Sequence, residues 1–271
     1  MTPPGIRLLR PLSLALENET WAGDLDGMKV LVKRYCPRPD ARVFPIPDTA
    51  LLVSIVHPLI QRLLWSGSDE DGATVHVLEW LPGVPLAEAM RTPSNPGGLP
   101  SRSITGLLAD GLAALKYLHL RGDRPHLLHG DVTPSNMLVD AGPDRPTMRL
   151  VDVMAIPPGT RLSGRPDVTL GSLYFIPDEV LEGAPPETSS EVWSLAAAVA
   201  SACGAVLPWN GADSPSGVLA ARRNLRPEDY LDLPADLPSG LGCLLTAMLE
   251  SDPTRRPDAA RALSILEELT D

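Results

Sequence analysis

Up to about residue 81 the apolar positions come in short, turn-bounded runs; beyond it they recur mostly at helical spacing. TWAGDLDGMKVLVKRY (20–35) holds two such runs around Asp26-Gly27, a pair suited to a type I′ turn, and predicts a β-hairpin. Within it VLVKRY has the β-branched and aliphatic content of a central strand. PDTALLVSIV (47–56) predicts a helix with Pro47 at its start and Asp48 in its first turn, ended by His57-Pro58. LIQRLLWSGSDEDGATVHVLEWL (59–81) reads as strand, acidic turn, strand. After the short segment PLAEAM, the Pro/Gly/Ser-rich RTPSNPGGLPSRS (91–103) reads as a loop. ITGLLADGLAALKYLHL (104–120) predicts a long helix, and helical patterns recur at 190–206, 215–222, 238–250 and 258–269. Strands first and helices after predict an α+β fold in two lobes, divided as residues 1–81 and 82–271.

Composition narrows the function. The chain has 271 residues, 44% of them hydrophobic, enough for a sizeable core. Its net charge of −11 argues against nucleic acid or an anionic membrane as partner. Thirty prolines and 22 glycines disfavour long uninterrupted helices. Cys36, Cys203 and Cys243 are odd in number and show no CxxC, which disfavours a disulfide framework or zinc site and fits a reducing compartment. The N-terminal residues lack the long apolar run of a signal peptide, and the apolar stretch 192–209 reads as a buried core helix. The expected location is cytoplasmic. Lys29, Lys33 and Lys116 are the only lysines among 23 basic residues, so each lysine is informative in a chain whose default cation is arginine.

Polar signals concentrate in LLHGDVTPSNMLVD (127–140) and MRLVDVMA (148–155). His129-x-Asp131, with Asn136 five residues after the aspartate, is a spacing used in phosphoryl transfer. The aspartate can accept the proton of an attacking hydroxyl, and the asparagine carbonyl can ligate Mg²⁺. Asp152, at the end of the following strand, would add a charged hard oxygen ligand. Taken alone, Asp131 and Asn136 are equally explained as turn formers around Pro134.

Here the chain resembles the protein kinase superfamily, specifically the bacterial serine/threonine kinases of the eukaryotic type. The resemblance runs through Val30-Leu31-Val32-Lys33, His57-Pro58-Leu59-Ile60, His129-Gly130-Asp131-Val132-Thr133-Pro134-Ser135-Asn136 and Asp152-Val153-Met154. It continues through Gly171–Glu179, Glu191-Val192-Trp193-Ser194-Leu195 and Asp252-Pro253-Thr254-Arg255-Arg256-Pro257, in family order. It implies a small β-rich N-lobe and a helical C-lobe, with ATP and Mg²⁺ as cofactors and a protein as substrate or regulatory partner. The implied catalytic positions are Asp131, Lys33 and Thr133; the metal positions are Asn136 and Asp152; the nucleotide positions are Lys33, Asp48, Ala15 and Glu79. Glu179 and Arg256 are expected to form a buried ion pair.

The chain departs from that pattern in several places. The glycine-rich loop positions fall on Ser13, Ala15 and Asn18, none of them glycine, so close backbone approach to phosphates is reduced. The helix glutamate that pairs with the strand lysine falls on Asp48, which could serve equally as a first-turn residue; the proline-laden link before it predicts a stunted helix. Thr133 stands in place of a lysine, Gly130 in place of the arginine before the catalytic aspartate, and Met154 in place of a glycine. An activation-loop phosphate held on that arginine is therefore not expected. Three functions follow: an atypical protein serine/threonine kinase, a pseudokinase scaffold, or a small-molecule phosphotransferase, whose relatives share an HGDxxPSN-like loop. The Gly171–Glu179 and Asp-Pro-x-x-Arg-Pro segments favour the protein-directed forms.

Overall fold

The computed structural model describes residues 5–14, 18–35, 46–90, 99–122, 126–142, 145–160 and 173–269. Five antiparallel strands form the N-terminal sheet: β1 (Ile6–Leu14), β2 (Asn18–Leu25), β3 (Met28–Tyr35), β4 (Leu63–Ser68) and β5 (Thr74–Glu79), in the order β1-β2-β3-β5-β4. The β2–β3 connection is the predicted two-residue turn, with φ of 50° at Asp26 and 87° at Gly27. Between β4 and β5 the Asp69 carboxylate accepts from the amides of Asp71 (3.0 Å) and Ala73 (2.9 Å), an Asx-type turn, and Arg34 pairs with Asp69 and Asp71.

Strand alternation gives the sheet two faces. Val30, Val32, Val75 and Val77 are buried on one, against Trp21, Leu64 and Trp65. Leu31, Lys33, His76 and Leu78 share the other, which faces the helix α1 (Thr49–Val53) and the C-terminal region. At five residues α1 is shorter than the 47–56 span predicted, and it is tethered at its C-terminal end. The Arg121 guanidinium donates to the Ser54 hydroxyl (2.7 Å), Tyr117 accepts from the Val56 amide (3.0 Å), and His57 stacks on Tyr117.

The C-terminal region follows: α2 (Leu86–Ala89), α3 (Ser101–His119), α4 (Asp178–Leu181), α5 (Thr188–Ala202), α6 (Pro215–Arg222), α7 (Pro227–Tyr230), α8 (Ser239–Met248) and α9 (Ala259–Glu268). Every residue of α5 from Ser190 to Ala202 is buried, as its unbroken apolar run requires, and α3, α8 and α9 pack around it. Among the described residues no helix is long and apolar enough to cross a membrane. A small sheet of β6 (Val84–Pro85), β7 (Met137–Asp140) and β8 (Thr147–Leu150) supports the site. It is pinned to α3 by buried Asp110, which accepts from Arg145 (2.6 and 2.9 Å) and from the Met148 amide (2.9 Å). It meets the N-terminal region where the Leu150 amide donates to Leu59 and the Leu150 carbonyl accepts from Gln61, both at 2.9 Å.

The predicted bilobal α+β architecture is therefore the observed one. Elements not anticipated include the short strands β6 and β7, the strand β1, and the helices α2, α4 and α7. The last two are single turns, too short for periodicity to register, and β1 is an edge strand exposed along nearly its whole length, so it carries no alternation.

Candidate active site

The loop 127–136 is shaped by its backbone partners. The Leu128 and Ile156 main chains exchange both hydrogen bonds (2.7 and 3.1 Å), and the Met154 amide donates to the His129 carbonyl (2.7 Å). The buried His129 ring donates from Nε2 to the Val151 carbonyl (2.9 Å) and accepts at Nδ1 from the Asp131 amide (3.2 Å). Those two partners fix the neutral Nε2–H tautomer. A single 3₁₀ turn, Pro134–Asn136, then brings Asn136 back beneath Asp131. Asn136 Nδ2 donates to Asp131 Oδ2 at 2.7 Å and to the Asp131 carbonyl at 3.0 Å. The amide nitrogen is thereby spent on Asp131, and Oδ1 is left without a protein donor among the described residues.

Lys33, on β3, enters the same cleft. Its Nζ lies 2.6 Å from Asp152 Oδ1, and its side chain is 13% exposed. Asp152 is in the left-handed region (φ 62°), a conformation that aspartate tolerates better than most residues. Asp131, Asn136, Asp152 and Lys33 line one cavity, together with Asn18, Tyr35, His76 and Met154. Burial, and then the charge of Asp152, push the Tyr35 hydroxyl above its usual range. His76, opposite Lys33 on β5, is lowered to about 4 by burial and then by the lysine charge, and is therefore neutral at pH 7.

The residues present fit a magnesium nucleotide. Among the described residues no group of three or more His, Cys, Asp or Glu side chains could hold a metal alone. The cleft offers instead the Asp152 carboxylate, the Asn136 amide oxygen and Lys33, with the Asp131 carboxylate beside them, a set suited to a cation shared with phosphate oxygens.

Other expected positions lie differently. Asp48 does not pair with Lys33: its Oδ1 accepts from the amides of Ala50 (2.8 Å) and Leu51 (3.1 Å), so it is the N-cap of α1, one residue before the first turn where it was expected. Glu79 ends β5 with its amide on Arg62 (2.9 Å) and its carbonyl on Gln61 Nε2 (2.8 Å), and it does not line the cavity. Thr133 is buried, and its hydroxyl has no hydrogen-bond partner among the described residues. Ser13 is laddered opposite Thr20, Asn18 lines the cavity, and Ala15 lies outside the described residues, as do Gly171 and Ser172. Gly130 has φ of 89°, a conformation that strains any other residue, and a Cβ there would also require the Ile156 side chain to shift from 2.6 Å. The Glu179–Arg256 pair is present and two-pronged, at 2.7 and 3.0 Å, with the arginine side chain 1% exposed.

Two groups of functional weight had no role assigned from sequence. Glu191, fully buried, accepts from the amides of His129 (3.0 Å) and Gly130 (2.7 Å) and from His119 Nε2 (2.9 Å). The available signal was an acid opening an otherwise apolar helix, and a histidine ending another. Arg222, also buried, lies over Trp193 and Trp209 (4.5 and 4.2 Å to the ring centroids) and pairs with Asp178 at 2.8 Å. It also donates to the carbonyls of Tyr174 (2.9 Å) and Ile176 (2.7 Å), holding the segment before α4 against α6.

Comparison with known proteins agrees with this geometry. The model of the protein kinase domain matches residues 46–265. The chain is 29% identical over 236 residues to the DNA damage-responsive serine/threonine-protein kinase RqkA of Deinococcus radiodurans, covering 86% of this chain and 34% of that protein. It is 27% identical over 275 residues to the serine/threonine-protein kinase pkn2 of Myxococcus xanthus, covering 95% and 31%. Human mitogen-activated protein kinase kinase kinase 1 is 26% identical over 220 residues, covering 80% and 14%. The chain belongs to the protein kinase family, with distant serine/threonine kinase homologues. It spans about a third or less of the length of these relatives.

Proposed function

We propose that the chain is an atypical serine/threonine protein kinase domain that transfers the γ-phosphoryl group of ATP to a protein hydroxyl. The observation that carries this reading is the Asn136–Asp131 bond: it orients a carboxylate toward the cleft and leaves an amide oxygen facing the same space. Asp131 would accept the proton of the attacking hydroxyl as the new O–P bond forms and ADP departs. Asp152 and Asn136 would hold Mg²⁺, which neutralises phosphate charge, and Lys33 would contact the phosphates. Phe175, Ile176 and Pro177 border a second hollow with Asp131 and Thr133, which suits an extended peptide beside the catalytic loop. Thr133 brings a neutral hydroxyl where its relatives place a charge, so slow transfer is expected.

A pseudokinase reading is favoured by one observation: Lys33 is held on Asp152 rather than by a helix carboxylate. The two readings separate on transfer of radiolabel from γ-labelled ATP to a generic protein substrate, run beside a thermal-shift titration with Mg²⁺–ATP. Transfer that disappears in Asp131→Asn supports the kinase; a nucleotide-dependent shift without transfer supports the scaffold.

A further inference from the structure

Lys33 has one anionic partner among the described residues, and it is the residue assigned to the metal. Its cross-strand neighbours are Thr20 on β2 and His76 on β5, the second a neutral imidazole. The carboxylate on α1, Asp48, is engaged with the first amides of its own helix. Asp152 meets Lys33 through Oδ1 at 2.6 Å and leaves Oδ2 without a hydrogen-bond partner among the described residues, its side chain being 34% exposed toward the cleft.

We propose that a single carboxylate, Asp152, both positions Lys33 and receives the metal, so that the nucleotide lysine becomes available to phosphate only as Asp152 turns to the cation. This rests on the Mg²⁺–nucleotide reading of the cleft. Separate carboxylates for the two duties would let lysine and metal bind phosphate independently. With one carboxylate the two are linked, since the Asp152 charge that holds Lys33 at 2.6 Å is the same charge that the cation would draw away. In the absence of a divalent ion, Asp152 therefore works twice against nucleotide: it occupies the lysine, and it repels the phosphates.

The linkage predicts an unusual sign. Asp152→Asn removes the metal's charged ligand but also frees Lys33, and asparagine accepts a φ of 62° as readily as aspartate, so the backbone is not penalised. Binding of ADP, followed by calorimetry in EDTA and in Mg²⁺, is the test. Wild type should bind weakly in EDTA and gain on adding Mg²⁺. Asp152→Asn should bind ADP in EDTA roughly fivefold or more tightly than wild type does in EDTA, with little further gain from Mg²⁺. Lys33→Met should lose most of the Asp152→Asn gain when the two are combined.

A nucleotide-free arm tests the pairing itself. Thermal midpoints of Lys33→Met and Asp152→Asn should be non-additive in the double variant, whereas Lys33→Met with Asp48→Asn, which keeps the cap, should be additive. Metal-free ADP affinity of Asp152→Asn equal to or below wild type overturns the proposal, as does coupling of Lys33 to Asp48 instead. A wild-type protein that binds no ADP in either buffer removes the nucleotide reading and this linkage with it. Wild-type binding without the Asp152→Asn gain removes the linkage alone.

Discussion

Glu191 and His119, 72 residues apart, meet inside the protein at 2.9 Å, and the same carboxylate closes on the His129 and Gly130 amides that lead into the loop carrying Asp131. The arrangement ties α3, α5 and the His129-Gly130 backbone to one buried anion. Burial by itself works to raise the Glu191 pKa; the His119 hydrogen bond and charge and the Gly130 amide together carry it below its usual value of 4.5.

Glu191→Gln keeps the shape but turns one acceptor into a donor facing amide donors. It is expected to cost several kcal/mol, roughly 3–5, seen as a lowered denaturant midpoint. The effect carries a pH signature. Because the native pKa lies below the unfolded one, the stabilisation is whole above about pH 4.5 and is lost as pH falls through the native value. The stability gap between wild type and Glu191→Gln should therefore narrow below pH 4.5. A gap that stays constant down to acid unfolding would show that the carboxylate is not the group responsible.

Arg256 anchors α4 to the end of the chain through Glu179, and it also donates to the carbonyls of Glu250 (2.7 Å) and Ser251 (3.1 Å). Removing one partner of so buried a pair leaves the other charge uncompensated, at a cost of roughly 3–5 kcal/mol for Arg256→Ala. An unchanged urea midpoint would contradict that burial.

Gly130→Ala should destabilise by roughly 1–3 kcal/mol, because the position combines φ of 89° with a Cβ clash against Ile156. Gly130→Arg should cost at least as much as alanine. If the melting temperature of Gly130→Arg matches wild type, the loop has room that the structure denies it.

What the sequence made legible was local. Asp26-Gly27 encodes its turn in two residues, and Asp131 and Asn136 are placed by the one 3₁₀ turn between them. Asp48 was open between two roles, because the amides it caps are two and three residues away while Lys33 lies on another element. Only the placement of a short α1 against β4 decides between them. Glu191 with His119, and Arg222 with Trp193 and Trp209, depend on which helix faces meet, and helical periodicity gives the faces without their neighbours. Thr133 departs visibly from the lysine of the kinase pattern, but the burial of its hydroxyl without a partner among the described residues is a property of the packed loop alone.

The separation of chemistry from binding rests on Asp131. Its Oδ2 is taken by Asn136, and no contact ties it to Lys33 or Asp152, which hold each other. On the proposed kinase reading, a carboxylate so placed would act on the acceptor hydroxyl and contribute little to nucleotide affinity. Asp131→Asn keeps an oxygen for the Asn136 bond, so the loop should retain its shape and its melting temperature. Phosphate transfer should fall by roughly 10²–10⁴, the span attributed to a positioned general base, while the Mg²⁺–ATP thermal shift persists. Thr160, whose hydroxyl donates to the Pro157 carbonyl at 2.6 Å, is a candidate acceptor within the chain itself. A generic protein substrate is needed beside autophosphorylation. Equal transfer by wild type and Asp131→Asn would remove Asp131 from the chemical step. Loss of the nucleotide shift together with transfer would place its role in binding instead.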